Sequence, residues 1–531
     1  MKPGKQGRPP TNAEAYFNAV LNPMLNPMPN PMLNPMPTET DTDRPLIAVA
    51  VLASFVAFLD GSVINLALPA IGREFGGGLA LQQWVVDGYL LSLGALILVA
   101  GAVSDQFGRL SVLRMGVVVF AVASVLSALA PSGWVLVAAR CLQGAGAAFL
   151  VPSSLAMINA RFSGAAQSRA IGTWTAWTGT AFVIGPLLGG VLVDAVGWRW
   201  IFAVNIVPLA LTLYLTTKLG ADEFAPPADR QDAKGRSARI DVVGAALNAV
   251  GLTGAVYALI EGQRLGFSYP PVVAGLAVGL TCLAVFPWWE SRSGHPMMPL
   301  HIFAARNFAV GNLATVFLYA AVSLGTLIIT LFLQETAGLS ATQAGLATLP
   351  LPVLSFFLAR RFGTLAGVHG PRLFMAVGPL IAAVGYLWMM MAREPFNFWT
   401  QILPGMVVFG LGLSITVSPL TATILGAVDP ARSGIGSAVN NAVSRISGLI
   451  AIAFTGVIIS LGERSDGKGV STVDFAGFRQ GALVAAILFA VAGVISAIGI
   501  RNGQGDYSRV SEETTAGCHD RVTPPPAYAR R

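Results

Sequence analysis

The sequence predicts an all-α membrane protein of fourteen transmembrane helices arranged as six, two and six. Three observations lead there. Of 531 residues, 54% are hydrophobic and only 11% are charged, where a soluble domain carries about 25% charged residues. Apolar runs of about 20 residues, the length a helix needs to cross a bilayer, recur from Leu46 to the region of Ile500. Lysine and arginine gather in alternate connections between those runs.

Taken in order, residues 1–45 read as a low-complexity tail. The tandem units beginning at Leu21, Leu25, Pro29 and Leu33 each end in Asn-Pro-Met, and proline at every fourth position forbids a regular helix. The tail is expected to be disordered and dispensable. Six spans follow at 46–70, 83–103, 112–130, 134–157, 170–193 and 200–217, forming an N-terminal bundle over 46–217. Residues 218–305 hold a charged linker, Lys218–Ile240, and two extra spans at 241–261 and 271–289. A C-terminal bundle over 306–500 carries spans at 306–333, 343–359, 373–391, 400–425, 438–461 and 481–500, and 501–531 is a second disordered tail.

With both termini in the cytoplasm, inner segments hold 24 lysines and arginines and outer loops hold 7, while Arg140 and Arg445 fall inside spans. That asymmetry fits the positive-inside rule and an even number of spans. The two sixes also look like diverged repeats. The second span ends in the hairpin Gly101–Arg109, where Gly101 and Gly108 let the backbone turn and Asp105 and Arg109 stand four residues apart. The matching hairpin in the last six, Arg360–Arg372, is basic and glycine-marked but lacks the aspartate. Six-helix halves around a central cavity are a transporter architecture.

Asp60, Asp87 and Arg140 are ionisable groups inside apolar runs, where charge costs at least a few kcal/mol unless paired or hydrated. At about 1.5 Å per residue, Asp60 lies roughly 10–15 Å from the outer end of span one and Arg140 roughly 9 Å from that of span four, with Asp87 slightly shallower in span two. All three therefore occupy levels that a side chain could bridge. Arg445, about two turns into span thirteen, has no evident partner; it either lines a cavity or reaches to the interface. Gly185-Pro186 breaks a backbone hydrogen bond in mid-span, and glycines 179, 185, 189 and 190 leave a face that a neighbouring helix can approach closely.

These segments carry a resemblance. Gly101–Arg109 resembles the hairpin signature of the major facilitator superfamily. Leu59–Pro69 (LDGSVINLALP) resembles the first-span signature of its fourteen-span drug:proton antiporters. Arg140–Gly146 (RCLQGAG) is similar to the fourth-span motif and Gly179–Gly190 (GTAFVIGPLLGG) to the fifth-span antiporter motif, followed by Gly197–Phe202 (GWRWIF). The resemblance covers about residues 45–500. It implies a multi-pass protein of the inner or plasma membrane that exports hydrophobic or cationic small molecules in exchange for protons. Asp60 and Asp87 would serve proton coupling or cation recognition, and Arg140 proton transfer. Apart from the resemblance, the aromatics near those groups, Trp84, Tyr89 and Trp177, would offer stacking surfaces for a flat cation, though Trp84 reads first as an interfacial anchor. The fifth-span kink would seal or hinge the path, and Asp105 would meet the start of span thirteen at Ser433-Gly434. Asn205-Ile-Val-Pro208 departs from the pattern by one inserted residue. Spans seven and eight look like a linker that crosses twice, outside the pathway.

Several classes are excluded. Cys141, Cys282 and Cys518 lie far apart and suggest neither a disulfide framework nor a metal site, and the histidines at 295, 301, 369 and 519 show no ligand spacing. No P-loop is present, so ATP is not the expected energy source. No cofactor and no enzymatic activity are expected. The net charge of +7 reports topology and lipid contact rather than nucleic acid. Pro525–Tyr528 matches a WW-domain ligand, a match that proline-rich tails produce by chance. The expected partners are protons, the bilayer and a small-molecule substrate. A dedicated exporter of one natural product, and a transport-inactive sensor or scaffold, are the rival readings.

Overall fold

The computed structural model describes residues 43–162, 164–219, 241–294, 296–428, 433–460 and 473–502. The N-tail repeats, most of the charged linker, Cys518, His295, His519 and Pro525–Tyr528 lie outside them. By packing, residues 1–45 and 46–531 are separate units, and the description below concerns the second.

Among the described residues there are helices and no strands. In chain order they are α1 (Asp43–Phe75), α2 (Gly78–Phe107), α3 (Arg109–Ala128), α4 (Gly133–Arg161), α5 (Gly164–Ala195), α6 (Trp200–Thr216, interrupted near Asn205), α7 (Val242–Leu265) and α8 (Pro270–Arg292). Then come α9 (Arg306–Thr336), α10 (Ala341–His369), α11 (Pro371–Met389), α12 (Phe398–Gly426), α13 (Ser433–Ala453) and α14 (Phe475–Gly499). Twelve of them are long and apolar enough to cross a membrane. α6 is short, and α13 is diluted by Ser437, Asn440, Asn441, Ser444, Arg445 and Ser447.

Local chemistry sets the helix ends. Ser132, Asp241 and Asp474 accept backbone N–H groups at the starts of α4, α7 and α14, and Ser340 with Gln343 forms a capping box at α10; each satisfies donors that a helix start leaves orphaned. Two turns require glycine. Gly108, between α2 and α3, has φ +89°, and Gly370, between α10 and α11, has φ +84°, a left-handed backbone that side chains resist. The two hairpins expected to be equivalent thus share one turn conformation. On the hairpin side, Arg114 donates to the Thr216 carbonyl at 2.5 Å, a cation on the C-terminus of α6, and Arg109 donates to the Ala156 carbonyl of α4 at 3.1 Å.

One hydrophobic cluster runs from Leu46 to Ile500 and draws on both groups of six helices. α7 is not a detached linker. Its Leu252, Val256 and Ile260 pack with Leu91 of α2 and Leu449 and Ala453 of α13. Buried Glu261 of α7 accepts a hydrogen bond from Trp84 Nε1 at 3.0 Å and pairs with Arg264 at 2.7 Å. α7 therefore sits on the seam between the second and thirteenth helices.

Because the helices alternate in direction, the end opposite Gly101–Arg109 holds the starts of α2 and α10 and the ends of α1, α5 and α9. The first and last groups of helices meet there. Asp194 of α5 accepts the Ala341 and Thr342 N–H groups at 3.1 and 2.7 Å, an anion on the N-terminus of α10. Gln82 donates to Glu335 at 2.8 Å, and Gln83 donates to the Ile452 and Ala453 carbonyls that end α13. Glycines make the approach possible. A Cβ on Gly190 would lie 2.6 Å from the Ala341 oxygen and 2.7 Å from Thr342 Cα, and one on Gly189 would meet Val63 of α1 at 3.0 Å.

The closest approach of a helix to a neighbour's backbone is α4 against α2, where a methyl on Gly144 would strike the Tyr89 carbonyl oxygen, with Tyr89 Cα at 3.0 Å. Gly144→Ala is expected to cost about 1–3 kcal/mol through forced backbone separation, read as a lower melting temperature of the purified protein. Gly172→Ala is the control: nothing lies within 4 Å of that position, so its melting temperature should hold or rise.

Candidate functional site

The site is built where α1, α3, α4 and α6 converge. Asp60 lies on α1 and is 1% exposed, and Arg140 on α4 is fully buried. Nη1 of Arg140 meets Oδ2 of Asp60 at 2.5 Å. Asp60 Oδ1 accepts from Gln143 Nε2 at 2.9 Å and from Asn205 Nδ2 at 3.0 Å. Gln143 is one turn from Arg140, accepts from Arg140 Nη1 at 2.7 Å and donates to Ser124 Oγ of α3 at 3.0 Å. Arg140 Nε reaches across to the Val85 carbonyl of α2 at 3.1 Å, and its guanidinium lies over the Tyr89 ring at 4.4 Å. Tyr89 in turn donates to the Ala57 carbonyl at 3.3 Å.

A buried ion pair holds only when further hydrogen bonds satisfy both partners. Here both carboxylate oxygens are engaged, and the cation has a carboxylate, an amide, a carbonyl and an aromatic face. Arg140 Nη2 and Asn205 Oδ1 remain without a hydrogen-bond partner among the described residues.

The sequence expectation that Asp60, Asp87 and Arg140 come together is met for two of the three. Asp87 is fully buried, and neither of its oxygens has a hydrogen-bond partner among the described residues. It sits one turn from both Gln83 and Leu91, on the face of α2 that meets α13 and α7. Trp177 also stands apart, 60% exposed. The inward tryptophan of α5 is Trp174, which donates to Ser54 Oγ at 3.0 Å and packs edge-on against Phe58.

The fifth-span residues divide by contact. A Cβ on Gly185 would collide with Ser62 of α1, the Pro186 carbonyl packs against Gly345 of α10, and Gly179 faces open space. Gly101 is likewise open. The side chain of Asp105 and those of Ser433 and Gly434 lie outside the described residues. Among the described residues no cluster of histidine, cysteine or carboxylate side chains could hold a metal.

Sequence reasoning missed Gln143, Ser124 and Asn205 as members of the site. Gln143 was visible as a polar residue one turn from a buried arginine. Asn205 stood in the very segment that departs from the family pattern.

A bundle of apolar, membrane-length helices with a buried, hydrogen-bonded ion pair and a bare carboxylate on a helix seam is the architecture of a polytopic membrane transporter. The Major Facilitator Superfamily model matches residues 50–452, and the chain belongs to that family. It is 34% identical over 410 residues to the multidrug resistance protein Stp of Mycobacterium tuberculosis, covering 77% of this chain and 74% of that one. It is 33% identical to the puromycin resistance protein pur8 of Streptomyces alboniger, over 78% and 81% of the two chains. With the methylenomycin A resistance protein of Bacillus subtilis it shares 30% identity over 80% and 89%. In fold it is similar to a crystal structure of a D-xylose-proton symporter, with TM-score 0.59 at 16% identity, covering 87% and 99%. The protein is thus a multi-pass transporter of the plasma membrane and not an enzyme.

The ion pair makes a quantitative expectation. Arg140→Ala leaves Asp60 buried and unpaired, a loss of about 3–5 kcal/mol. Combining it with Asp60→Asn should restore most of that stability, so the two effects are far from additive. A thermal-melt double-mutant cycle checks this, and additive losses would mean the pair is not coupled.

Proposed function

We propose that the protein is a proton-coupled secondary antiporter that exports predominantly apolar small molecules, drugs or antibiotics among them. The observation that carries this reading is Asp87, a fully buried carboxylate with no hydrogen-bond partner among the described residues, whereas both oxygens of Asp60 are committed. An isolated buried charge is costly, and a bound proton removes that cost. Asp87 is the group that takes up and releases the exchanged proton. Asp60 and Arg140 form the pair whose bonds rearrange as the helices shift, and Asp60 has no free oxygen for a cation while that pair holds.

In this reading α6 and α13 also cross the membrane, completing fourteen spans as two six-helix repeats and an inserted pair, with both termini in the cytoplasm. The end closed by Asp194, Gly189 and Gly190 is then the outer one, and Gly185-Pro186 belongs to the gate that shuts it. Asp105, Gly108 and Arg109 serve the inner gate, with Gly101 and Gly179 on faces that helix movement would cover. Trp177 offers an exposed ring near the path. The resistance activities named for the relatives support export over uptake. A dedicated exporter of one natural product is the second reading, favoured by relatives named for a single antibiotic.

Substrate-driven proton movement across inverted vesicles tests the main reading. Wild type should dissipate an imposed proton gradient when an exported compound is added. Asp87→Asn should abolish that response while the protein remains inserted and folded. Undiminished proton movement in Asp87→Asn would overturn the assignment of the coupling group. Competition between chemically unlike compounds in the same vesicles indicates polyspecific export, and its absence a dedicated one.

A further inference from the structure

We infer that Tyr89 is a positioning residue of the proposed exporter: its ring seals the Asp60–Arg140 pair from a neighbouring cavity and so keeps Asp60 out of the proton exchange assigned to Asp87. The exchange half of that statement rests on the export reading; the seal itself does not.

A small cavity, with room for about one water molecule, lies between α1, α2, α4 and α13. Its wall includes Ala57, Tyr89, Leu93 and Ala147 on the N-terminal helices and the polar Asn441 and Arg445 on α13. Asp60, Arg140 and Gln143 are not on that wall. They lie about one turn further along their helices. Asp60 follows Ala57 by three residues on α1, Gln143 precedes Ala147 by four on α4, and Tyr89 precedes Leu93 by four on α2. Because α1 runs against α2 and α4, these steps all lead toward the same end of the bundle. Tyr89 belongs to both layers. It stands on the cavity wall, its ring lies 4.4 Å from the Arg140 guanidinium carbon, and its hydroxyl donates to the Ala57 carbonyl at 3.3 Å.

The backbone behind the ring holds it there. A Cβ on Gly144 would strike the Tyr89 carbonyl, and one on Gly88 would meet Cys141 Sγ at 3.2 Å and the Val137 carbonyl oxygen at 3.3 Å. α2 is thus pressed onto α4 on both sides of Tyr89. A cavity with room for about one water cannot take a phenol ring, so the ring leaves Arg140 only when the helices move. What it protects is electrostatic. In a dry interior the attraction between two charges is several times what it is beside water, and a guanidinium keeps the benefit of an aromatic face best when desolvated. Arg140 Nη2, buried and without a hydrogen-bond partner among the described residues, is the donor that cavity water would take first if the ring were absent. Tyr89 therefore keeps the Asp60–Arg140 pair closed until α2 shifts.

Hydroxyl-radical footprinting of the purified full-length protein in nanodiscs, read by mass spectrometry, tests the seal with neither substrate nor proton gradient. The reporter is Phe202, fully buried, whose ring centroid lies 5.8 Å from the Arg140 guanidinium carbon. The control is Phe478, fully buried against Phe332 in the C-terminal bundle. Wild type should leave both rings protected. Tyr89→Leu should raise oxidation of Phe202 about tenfold, the factor that an interaction of cation–π strength controls, with Phe478 unchanged. Tyr89→Phe keeps the ring and should stay protected. Protection of Phe202 in Tyr89→Leu, equal oxidation in Tyr89→Phe, or oxidation of Phe478 together with Phe202 would overturn the seal. The exchange half is read in the vesicles, where Tyr89→Leu should pass protons without substrate and the added Asp60→Asn should stop that leak. No leak, or one that survives Asp60→Asn, overturns the exchange half and leaves the seal standing. Failure of wild type to move protons with substrate overturns the antiport reading and leaves the footprint as it was.

Discussion

A single buried ion pair and its partners hold five helices of the N-terminal bundle, α1, α2, α3, α4 and α6, in register. Asp60 and Arg140 could not both be charged in an apolar interior without compensation, since the desolvation of each costs several kcal/mol. The compensation comes from Gln143 on α4, itself held by Ser124 of α3, from α2 through the Val85 carbonyl and the Tyr89 ring, and from α6 through Asn205. Position on each helix is thereby constrained by hydrogen-bond geometry as well as by packing. Yet Arg140 Nη2 and Asn205 Oδ1 lack partners among the described residues. A network with spare donors and acceptors can exchange bonds when helices slide, whereas a fully satisfied one resists any change.

The contacts between the two groups of helices are of another kind. At the end opposite the Gly101–Arg109 hairpin they are made by backbone and short polar side chains: Asp194 on the start of α10, Gln83 on the end of α13, Gly190 against Ala341. Interfaces built from small residues and a few hydrogen bonds bring helices close without committing large apolar side chains to one another. Each such bond contributes only about 1 kcal/mol. That is the scale on which a ligand's binding energy can open one end of a transporter.

Much of this was legible in the sequence, for identifiable reasons. The order of the helices, and the twelve that are long and apolar enough to cross a membrane, follow from apolar length, which the bilayer dictates independently of packing. Asp60 and Arg140 could be paired because depth along a helix is a simple multiple of residue number. Depth does not give azimuth, and there the reading failed for Asp87, which lies at a suitable level but faces α13 and α7 instead of Arg140. Trp177 and Trp174 differ by less than one turn, yet one is exposed and the other bonded to Ser54. Asn205 reaches Asp60 only because α6 is interrupted beside it, a break that hydropathy does not register. The lone carboxylate of α7, Glu261, gives no sign in the sequence that Trp84 of α2 is its partner.

The placement of Asp87 bears on how proton uptake and helix movement could be linked. α2 contributes Tyr89, Leu93 and Ile97 to the cavity and Asp87 to its seam with α13; α13 contributes Arg445 to the cavity and Leu449 and Ala453 to that seam. Asp87 lies on the α2 face that meets α13, so any separation of α13 from α2 would admit water to the carboxylate. In the proposed antiport, hydration would relieve the cost of its charge and let the proton leave. The reverse holds by necessity, because a coupling free energy between two sites is reciprocal. α7, packed on the same seam, limits how far the two helices can part. In the proposed antiport the two-state element is the α2–α13 contact itself, with α7 packed along it.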